Sequence, residues 1–441
     1  GGTLRSSGTG KIIVPTGLSS HTPAHLDGTT ELGPVTLNAL VEFGHGAYVA
    51  AKGTLINTGT IRMTTAGFSS FFPSLSSLDA PLILTGGGTV EMSDHPDNYV
   101  IGESYITNVN NTIRGAGSIC HNFIDMTNQG LIVADKTTSL QVDPLSAFTN
   151  QGTLRATNGA TLVLKNGFFL NVAGVIDAQA NSFVNLQNLT LQGGVLNSAD
   201  NGLIQTGSAL NTIPISVDPI TIDGTLRIRN GHELSVAAPL VINGNLEVVS
   251  LGEATTLRLM TTTNLTGTGR IILGDHPANR IRGARLFNYG ITIEGAGLIG
   301  DTALGIVNEG SIIATGTNPL IIDPTSATQY NDGLLRASGS GGLRIAPGNL
   351  HNRNQLIVDE GSLFLRDGQY RQVDGTTEIG GAFSATSGYD QDAGETMLQG
   401  GTLTTSILDL DGGSLTGEAV SRLLLSMMPS SRPAMISVTL P

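Results

Sequence analysis

The chain has 441 residues, a formal net charge of −13 at pH 7 and a composition unlike that of an ordinary globular enzyme. It contains 59 Gly and no Trp, and charged residues make up 13%, about half the usual share. The acidic balance repels nucleic-acid phosphates, so we expect no nucleic-acid binding. Because 39% of the residues are hydrophobic, the chain can bury a core, which excludes a disordered protein.

Cys120 is the only cysteine, so neither an intramolecular disulfide nor a zinc site built from several cysteines is possible. We find no run of about 20 apolar residues that would span a membrane and no signal peptide at Gly1. We expect the abrupt opening Gly1-Gly-Thr-Leu to be a processed or trimmed start.

Residues 1–50 fit no regular period, and His21-Thr-Pro and Gly33-Pro are typical of loops. We predict that this segment is an N-terminal cap or a set of irregular first coils.

A short phrase recurs through residues 51–417: Asn, a variable residue, Gly, and then an alternating aliphatic run. Its four best copies are Asn128-Gln-Gly-Leu-Ile-Val-Ala, Asn150-Gln-Gly-Thr-Leu-Arg-Ala, Asn308-Glu-Gly-Ser-Ile-Ile-Ala and Asn331-Asp-Gly-Leu-Leu-Arg-Ala. The spacing is 22 residues between the first two copies and 23 between the last two. Two or three short strands with their turns fill about 20 residues.

The sequence therefore predicts an all-β fold, a right-handed single-stranded parallel β-helix (β-solenoid) of about 20–23 residues per coil. Alternation places Leu, Ile and Val inward and Thr, Arg, Asn and Glu outward. We expect Gly at corners where φ must be positive, a region that Asn also tolerates.

Matching corners of successive coils favour a hydrogen-bonded stack of amides. We predict such a structural ladder at Asn128, Asn150, Asn308, Asn331 and Asn352.

The sequence also contains a second repeat with a much longer period. Asp94-His-Pro returns as Asp275-His-Pro at an offset of 181, and Ile113-Arg-Gly-Ala-Gly returns as Ile293-Glu-Gly-Ala-Gly at an offset of 180. We predict that residues of about 84–200 and 265–381 are two copies of one block of several coils. The remaining segment, 418–441, breaks the period and is predicted to be a C-terminal cap or an interface segment.

Asn111-Thr-Ile-Arg-Gly-Ala-Gly-Ser-Ile, followed by the phrases at Asn128 and Asn150, resembles bacterial surface proteins with β-strand repeats. These include autotransporter passenger domains and filamentous-haemagglutinin-like adhesins. The resemblance implies an extracellular or cell-surface β-helix used in adhesion, matrix or fibre formation. Its partners would be copies of itself, end to end or laterally, or components of the cell surface or matrix.

Three groups of residues invite a chemical role. The two Asp-His-Pro triplets are interpreted as loops, with Pro fixing the turn and Asp capping it. Asp390-Gln-Asp and Asp409-Leu-Asp-Gly-Gly lack the further ligands of a calcium loop. Arg270, Arg280, Arg282 and Arg285 form the densest basic group, which we expect to project into water or to pair with carboxylates.

We find no catalytic, metal or cofactor motif, so we expect a structural or adhesive protein without a cofactor rather than an enzyme. Two alternatives stay open. Clustered carboxylates on consecutive coils would favour a polysaccharide lyase or hydrolase, whereas trimerisation would favour a phage or secreted toxin-like stalk.

Overall fold

The computed structural model describes residues 1–16, 22–65, 73–207, 210–213, 218–301, 304–324, 329–346, 349–417 and 435–436. All assigned elements in these ranges are β-strands. Among these residues no helix is both long and apolar enough to cross a membrane. The chain divides into two compact units, residues 1–226 and residues 227–441.

The strands of the first unit are short and follow one another closely. They are β1 (Gly2–Arg5), β2 (Lys11–Val14), β3 (Ala24–Gly28), β4 (Val35–Asn38), β5 (Leu40–Phe43), β6 (Tyr48–Asn57), β7 (Thr60–Met63), β8 (Ser74–Thr85), β9 (Thr89–Met92), β10 (Tyr99–Gly102), β11 (Ile106–Asn108), β12 (Thr112–Gly115), β13 (Gly117–Ile119), β14 (Met126–Asn128), β15 (Leu131–Ala134), β16 (Leu140–Val142), β17 (Ala147–Asn150), β18 (Thr153–Ala156), β19 (Thr161–Lys165), β20 (Phe168–Leu170), β21 (Val175–Ala178), β22 (Phe183–Gln187), β23 (Thr190–Gln192), β24 (Gly194–Ser198), β25 (Leu203–Thr206), β26 (Leu210–Ile213) and β27 (Ile220–Ile222). The division between the units falls within β28 (Thr225–Ile228).

The strands of the second unit have the same character. They are β29 (Glu233–Val236), β30 (Leu240–Ile242), β31 (Asn245–Val248), β32 (Thr255–Leu259), β33 (Thr263–Thr266), β34 (Arg270–Leu273), β35 (Asn279–Gly283), β36 (Leu286–Asn288), β37 (Thr292–Gly295), β38 (Gly297–Gly300), β39 (Ile306–Asn308), β40 (Ser311–Ala314), β41 (Leu320–Asp323), β42 (Gln329–Asn331), β43 (Leu334–Ala337), β44 (Leu343–Ile345), β45 (Leu350–Asn352), β46 (Gln355–Val358), β47 (Leu363–Arg366), β48 (Gln369–Gln372), β49 (Thr376–Ile379), β50 (Ala382–Ala385), β51 (Gly388–Gln391), β52 (Glu395–Leu398), β53 (Thr402–Thr405), β54 (Leu408–Leu410), β55 (Ser414–Gly417) and β56 (Met435–Ile436).

Three strands make one turn of the winding. In the first unit β15, β16 and β17 are followed by β18, β19 and β20, each of which pairs in parallel with the strand three places earlier. In the second unit β36, β37 and β38 pair in the same way with β39, β40 and β41. The fold is therefore a parallel β-solenoid with three parallel sheets, and its described residues form about 17 turns. This confirms the predicted fold class; the hand of the winding stays a prediction.

The core consists mainly of aliphatic side chains stacked in register from turn to turn, with fully buried Phe and Tyr rings among them. Ile132 pairs with Leu154 and Leu154 with Ile176, and all three are fully buried. In the second unit Ile312 lies between Ile293 and Leu335 in the same manner. Each such side chain contributes about 1.5–3 kcal/mol by leaving water, and it does so only because strand alternation directs it inward.

Parallel pairing is already present in residues 1–50. Gly2 pairs with Val35 and Lys11 with Leu40, so β1 and β2 belong to the winding. The predicted cap or interface segment at 418–441 lies outside the described residues, apart from β56, which pairs with β55. His21 also lies outside them.

The glycines of the Asn-x-Gly phrase are required for a reason other than the predicted one. The φ angle is not positive at Gly152 or Gly333, nor at the ladder asparagines. A Cβ at Gly152 would lie 2.0 Å from the Gly130 carbonyl oxygen, and one at Gly333 would lie 2.1 Å from that of Gly310. Successive turns approach so closely at this corner that only glycine leaves room for the next backbone.

Arg366 contradicts the expectation that arginines of the strands point outward. Its side chain is buried, and its Nη1 donates to the carbonyl oxygens of Ile345, at 3.1 Å, and of Ala346. Burial lowers the pKa of Arg366 to about 10. Arg366 stands two residues after the buried Phe364, so strand alternation directs it inward, and backbone carbonyls at the end of β44 satisfy its guanidinium there.

Candidate functional site

Two rows of side chains run across the strands that precede the Asn-x-Gly phrases. The inner amide row of each unit consists of the inward Asn and Gln side chains at the ends of these strands. The outer row consists of the residues immediately before them, which point outward because alternate residues of a strand face opposite sides.

In the first unit the inner amide row is a continuous chain of hydrogen bonds. Asn108 donates to Asn128 at 2.8 Å, Asn128 to Asn150 at 2.9 Å, and Asn150 to Asn171 at 2.7 Å. These side chains are buried. The structure thus places the predicted Asn128 and Asn150 in one chain, together with Asn108 and Asn171, which the sequence analysis missed.

The inner amide row of the second unit contains the other three predicted residues. Asn308 donates to Asn331 at 2.8 Å and Asn331 to Asn352 at 2.6 Å. Asn288 precedes them, donating to Asn308 at 2.9 Å, and Gln372 follows, accepting from Asn352 at 3.0 Å. Asn288-Tyr-Gly-Ile-Thr-Ile fits the phrase, so its sequence carried the signal.

Several amides of these rows also hold their own corners. Asn150 Nδ2 donates to the carbonyl oxygen of Gly152, and Asn331 Nδ2 to that of Gly333, both at 3.2 Å. An amide that joins two turns and one corner in a dry interior has a structural role, because leaving it unpaired would cost about 1–3 kcal/mol.

The two Asp-His-Pro loops make equivalent contacts in the two predicted copies of the block. Asp94 accepts the backbone N–H of Thr138 at 2.8 Å, and Asp275 accepts that of Asn318 at 2.9 Å. Hydrogen bonds from the Thr137 hydroxyl lower the pKa of Asp94, and those from Thr317 and its neighbour lower that of Asp275. Each aspartate caps a loop some forty residues later, not the turn of its own triplet.

The histidines of these loops stabilise the turn itself. His95 Nδ1 accepts the N–H of Asp97 at 3.2 Å, and His276 Nδ1 accepts that of Ala278 at 3.1 Å. Among the described residues no three His, Cys, Asp or Glu side chains converge as a metal site would require.

The outer row of the first unit is neutral. By strand register it runs through Ile83, Thr107, Thr127, Thr149, Leu170 and Gln192. Three consecutive threonines and no ionisable group give a flat surface of methyl and hydroxyl groups.

The outer row of the second unit has a different chemistry. By the same register it runs through Asn264, Phe287, Val307, Tyr330, His351, Arg371, Asp390 and Asp409. It changes along the stack from aromatic to basic and then to acidic side chains.

At the aromatic end, three side chains lie against one another. The Phe287 and Tyr289 rings are nearly parallel, with centroids 5.6 Å apart, and the Arg285 guanidinium lies 4.9 Å from the Phe287 centroid. The Tyr289 side chain is 40% exposed. This is the geometry of a stacked aromatic pair with a cation over the Phe287 ring.

Two turns further on, Tyr330 is held on two sides. The Arg353 guanidinium lies 4.1 Å from its ring centroid, and His351 meets the ring edge-on at 5.5 Å. Asp332 lies 3.5 Å from the Arg353 guanidinium. Burial, together with the charges of Arg371 and Arg353, lowers the pKa of His351, so this imidazole is neutral at pH 7.

The acidic end contains the Asp-x-Asp motifs noted in the sequence. Arg371 binds Asp392 through two hydrogen bonds, of 2.7 and 3.1 Å. Asp390 accepts a hydrogen bond from Gln369 and pairs in register with Asp409 on the next turn. Burial and the neighbouring Asp409 carboxylate raise the pKa of Asp390.

The basic group predicted from Arg270, Arg280, Arg282 and Arg285 does not form one cluster. Arg270 pairs with Glu294 and Arg282 with Glu233, each at 2.8 Å. Arg285 lies over an aromatic ring instead, and the buried Nε of Arg280 has no hydrogen-bond partner in the described structure. Two of these four arginines, Arg270 and Arg282, thus pair with carboxylates as expected.

The chain was compared with protein-family models, with curated proteins and with solved structures, and none of them matches it.

Proposed function

We propose that this protein is an extracellular structural or adhesive β-solenoid of a bacterial cell surface or matrix. The observation that carries the proposal is the inner amide row. In each unit, the buried amides form hydrogen bonds with the amides of the next turn, so their polar groups stabilise the stack of coils. Such a chain holds the side chains on its outer faces at fixed intervals, which is what a scaffold or an adhesive surface requires.

Ion pairs on the outside support the same interpretation. Arg62 pairs with Glu91 at 2.9 Å, Arg227 with Glu247 at 2.6 Å, and Arg336 with Asp359 at 2.9 Å. Each pair links consecutive turns. Single exposed pairs contribute only about 0.2–1 kcal/mol, but pairs repeated along a stack favour one register over its alternatives.

The resemblance of the repeated phrases to autotransporter passenger domains and filamentous-haemagglutinin-like adhesins supports an extracellular location. Partners in this proposal are copies of the chain itself, or components of the cell surface or matrix. Strands without a neighbour at an end of a stack would give end-to-end association a direct physical basis.

Electron micrographs of the purified protein, combined with antibody labelling of intact producing cells, test the proposal. We expect labelling of intact cells, and particles that join into fibres or coat a surface as concentration rises. Antigen found only after cell lysis, together with particles that stay single at every concentration, would refute it. A cytoplasmic protein of the same cells is the labelling control.

One observation favours a second candidate, a polysaccharide hydrolase. Asp390 and Asp409 carry carboxylates on consecutive turns, and burial raises the pKa of Asp390 as a general acid requires. Release of reducing ends from polysaccharides would show it, with loss of that release in Asp390→Asn but not in Asp367→Asn, whose carboxylate pairs with Arg344.

A further inference from the structure

The outer rows of the two duplicated blocks occupy equivalent positions and differ in chemistry. Thr107 corresponds to Phe287 and Thr127 to Val307 at an offset of 180, and Thr149 corresponds to Tyr330 at 181. We propose that the outer row of the second unit, with its flanking Tyr289 and Arg353, binds a neutral polysaccharide lying along the row. This inference rests on the proposed adhesive function and names its partner.

The aromatic side chains supply the first part of the recognition. One face of a pyranose ring presents C–H groups, which pack on an aromatic ring and are attracted by its electron-rich face. Tyr289 is the most exposed of these rings, at 40%, and Phe287 supports it from behind. Arg353 and His351 hold the Tyr330 ring in place, so little side-chain entropy remains to be lost on binding.

The charged side chains supply the second part. A guanidinium carries five N–H donors, and Asp392 takes two of those of Arg371. The remaining donors, with the carboxylate oxygens of Asp390 and Asp409, can bind sugar hydroxyl groups through charge-assisted hydrogen bonds. Both donors and acceptors are held at fixed positions.

The balance of charge selects a neutral polymer. Arg353 lies 3.5 Å from Asp332, and Arg371 binds Asp392, so neither cation is available as an unpaired charge. Beyond them the row ends in Asp390 and Asp409, which would repel a uronate or a sulfate. Hydroxyl groups, which donate and accept, match this mixture better than anions do.

The spacing of the row fits an extended chain of sugars. One side chain per turn stands in register with the next, and neighbouring strands lie about 4.7–4.9 Å apart. A pyranose ring is of similar length, so successive sugars meet successive side chains. Tyr289, which packs on Phe287, and Tyr330 lie two turns apart and can contact alternate sugars.

Affinity electrophoresis of the full chain tests the inference. The probes are four neutral polysaccharides (a mixed-linkage β-glucan, xylan, galactomannan and dextran) and two anionic ones (alginate and heparin), each cast in a native gel. We expect at least one neutral probe to retard the protein. The double variant Tyr289→Ala with Tyr330→Ala should weaken that binding about tenfold, the loss expected from two aromatic contacts.

The first unit provides a matched control. Tyr105 is 38% exposed and its hydroxyl lies within hydrogen-bond distance of Thr127 of the first outer row. Tyr105→Ala should leave retardation unchanged, and circular dichroism should show that all variants fold. Arg353→Ala should weaken polysaccharide binding by less than the double tyrosine variant does, and Arg353→Lys should weaken it less than Arg353→Ala.

Three outcomes would overturn the inference: no retardation by any neutral probe, retardation by anionic probes alone, or equal effects of the Tyr289/Tyr330 and Tyr105 variants. Fibres and cell-surface labelling that persist in the double variant would leave the proposed adhesive function in place. Neutral polysaccharide binding by a protein confined to the cytoplasm would instead refute that function and keep the binding site.

Discussion

Each of the two units contains an inner amide row of the same kind, but the outer rows of the two units differ in chemistry. Asn128 and Asn150 in the first unit, and Asn308 and Asn331 in the second, make the same hydrogen bonds to the next turn. One residue earlier in each strand, Thr127 and Thr149 stand where the second unit has Val307 and Tyr330.

The difference follows from where each row lies. An inward amide that loses its partner stays unpaired in a dry interior, at a cost of about 1–3 kcal/mol. An outward side chain on a strand meets water, and surface substitutions there usually change stability by less than about 0.5 kcal/mol. Coils with the same inward residues can therefore differ in surface chemistry without altering the stack beneath it.

The largest effect is expected from a charge in the core. Ile132 is fully buried between Ile113 and Leu154, so Ile132→Asp places a carboxylate where nothing can pair with it, and the first unit should lose its fold. Limited proteolysis followed by mass spectrometry would show cleavage concentrated in residues 1–226.

Ile132→Val is the control, with an expected loss of about 0.5–1.5 kcal/mol. A melting temperature for Ile132→Asp equal to that of the original chain would contradict the inward position of this residue. The equivalent change Ile312→Asp should damage the second unit and so tests whether the cores are equivalent.

Breaking an inner amide row is the next largest change. Asn150→Ala removes the hydrogen bond to Asn171 and leaves the Asn128 amide without its acceptor. A loss of about 2–4 kcal/mol is expected, since two buried groups become unpaired. Asn331→Ala should cost a similar amount because Asn308 and Asn352 bracket it in the same way.

Gln151→Ala is the matched control, because Gln129 and Gln151 join the same two turns at 2.9 Å on an exposed surface. Urea unfolding of the four chains would measure the differences. If Asn150→Ala cost no more than Gln151→Ala, the inner row would not be the element that holds the turns together.

A smaller effect is expected from a methyl group at a corner. Gly152→Ala would place its Cβ 2.0 Å from the Gly130 carbonyl oxygen, so the two turns must separate locally. Overpacking of this kind costs about 1–3 kcal/mol. At Gly159, where φ is +75° and a Cβ would meet nothing within 4 Å, Gly159→Asn should be nearly neutral.

Thermal unfolding of the two variants separates close approach from backbone conformation. Should Gly159→Asn destabilise the chain more than Gly152→Ala, backbone conformation at Gly159 would matter more for stability than close approach at Gly152.

The stack was predictable because its signal is local and repeated. Asn128-Gln-Gly-Leu-Ile-Val carries the inward amide, the tight corner and the next strand in one phrase, and its spacing gives the turn. Gln372, and Gln391 that lies in register with it on the next turn, were missed because they replace Asn and stand three residues before Gly, not two. The longer side chain reaches inward from β48 and β51, where the Tyr370 hydroxyl donates to Gln372 at 2.6 Å.

The positions of the outer row follow from the predicted ladder, because each member stands immediately before an inward amide, but the chemistry of the row was not predictable. Phe287, Tyr330 and Arg371 are 43 and 41 residues apart in sequence, and the residue types at these outward positions follow no periodic pattern. Strand register aligns them on alternate turns. Buried residue types are set by packing and so repeat, whereas outward residue types are free to differ from turn to turn.

The smallest predicted effect tests the acidic end of the second outer row. Because burial and Asp409 raise the pKa of Asp390 in the folded chain, the folded state holds this proton more tightly than the unfolded chain does. Stability is therefore greatest when Asp390 is protonated and falls as pH rises through its folded pKa. Asp390→Asn removes that loss and should stabilise the chain at pH 7 by about 0.2–1 kcal/mol after solvent screening.

The advantage of Asp390→Asn should disappear below about pH 4, where the carboxylate is protonated in both states. Asp392→Asn provides a control of opposite sign, because Asp392 accepts two hydrogen bonds from Arg371 and its loss should destabilise the chain at pH 7. Melting temperatures measured between pH 3 and pH 8 would decide the matter. A gain for Asp390→Asn that does not change with pH would mean that packing, and not charge, distinguishes this end of the row from the neutral threonines of the first unit.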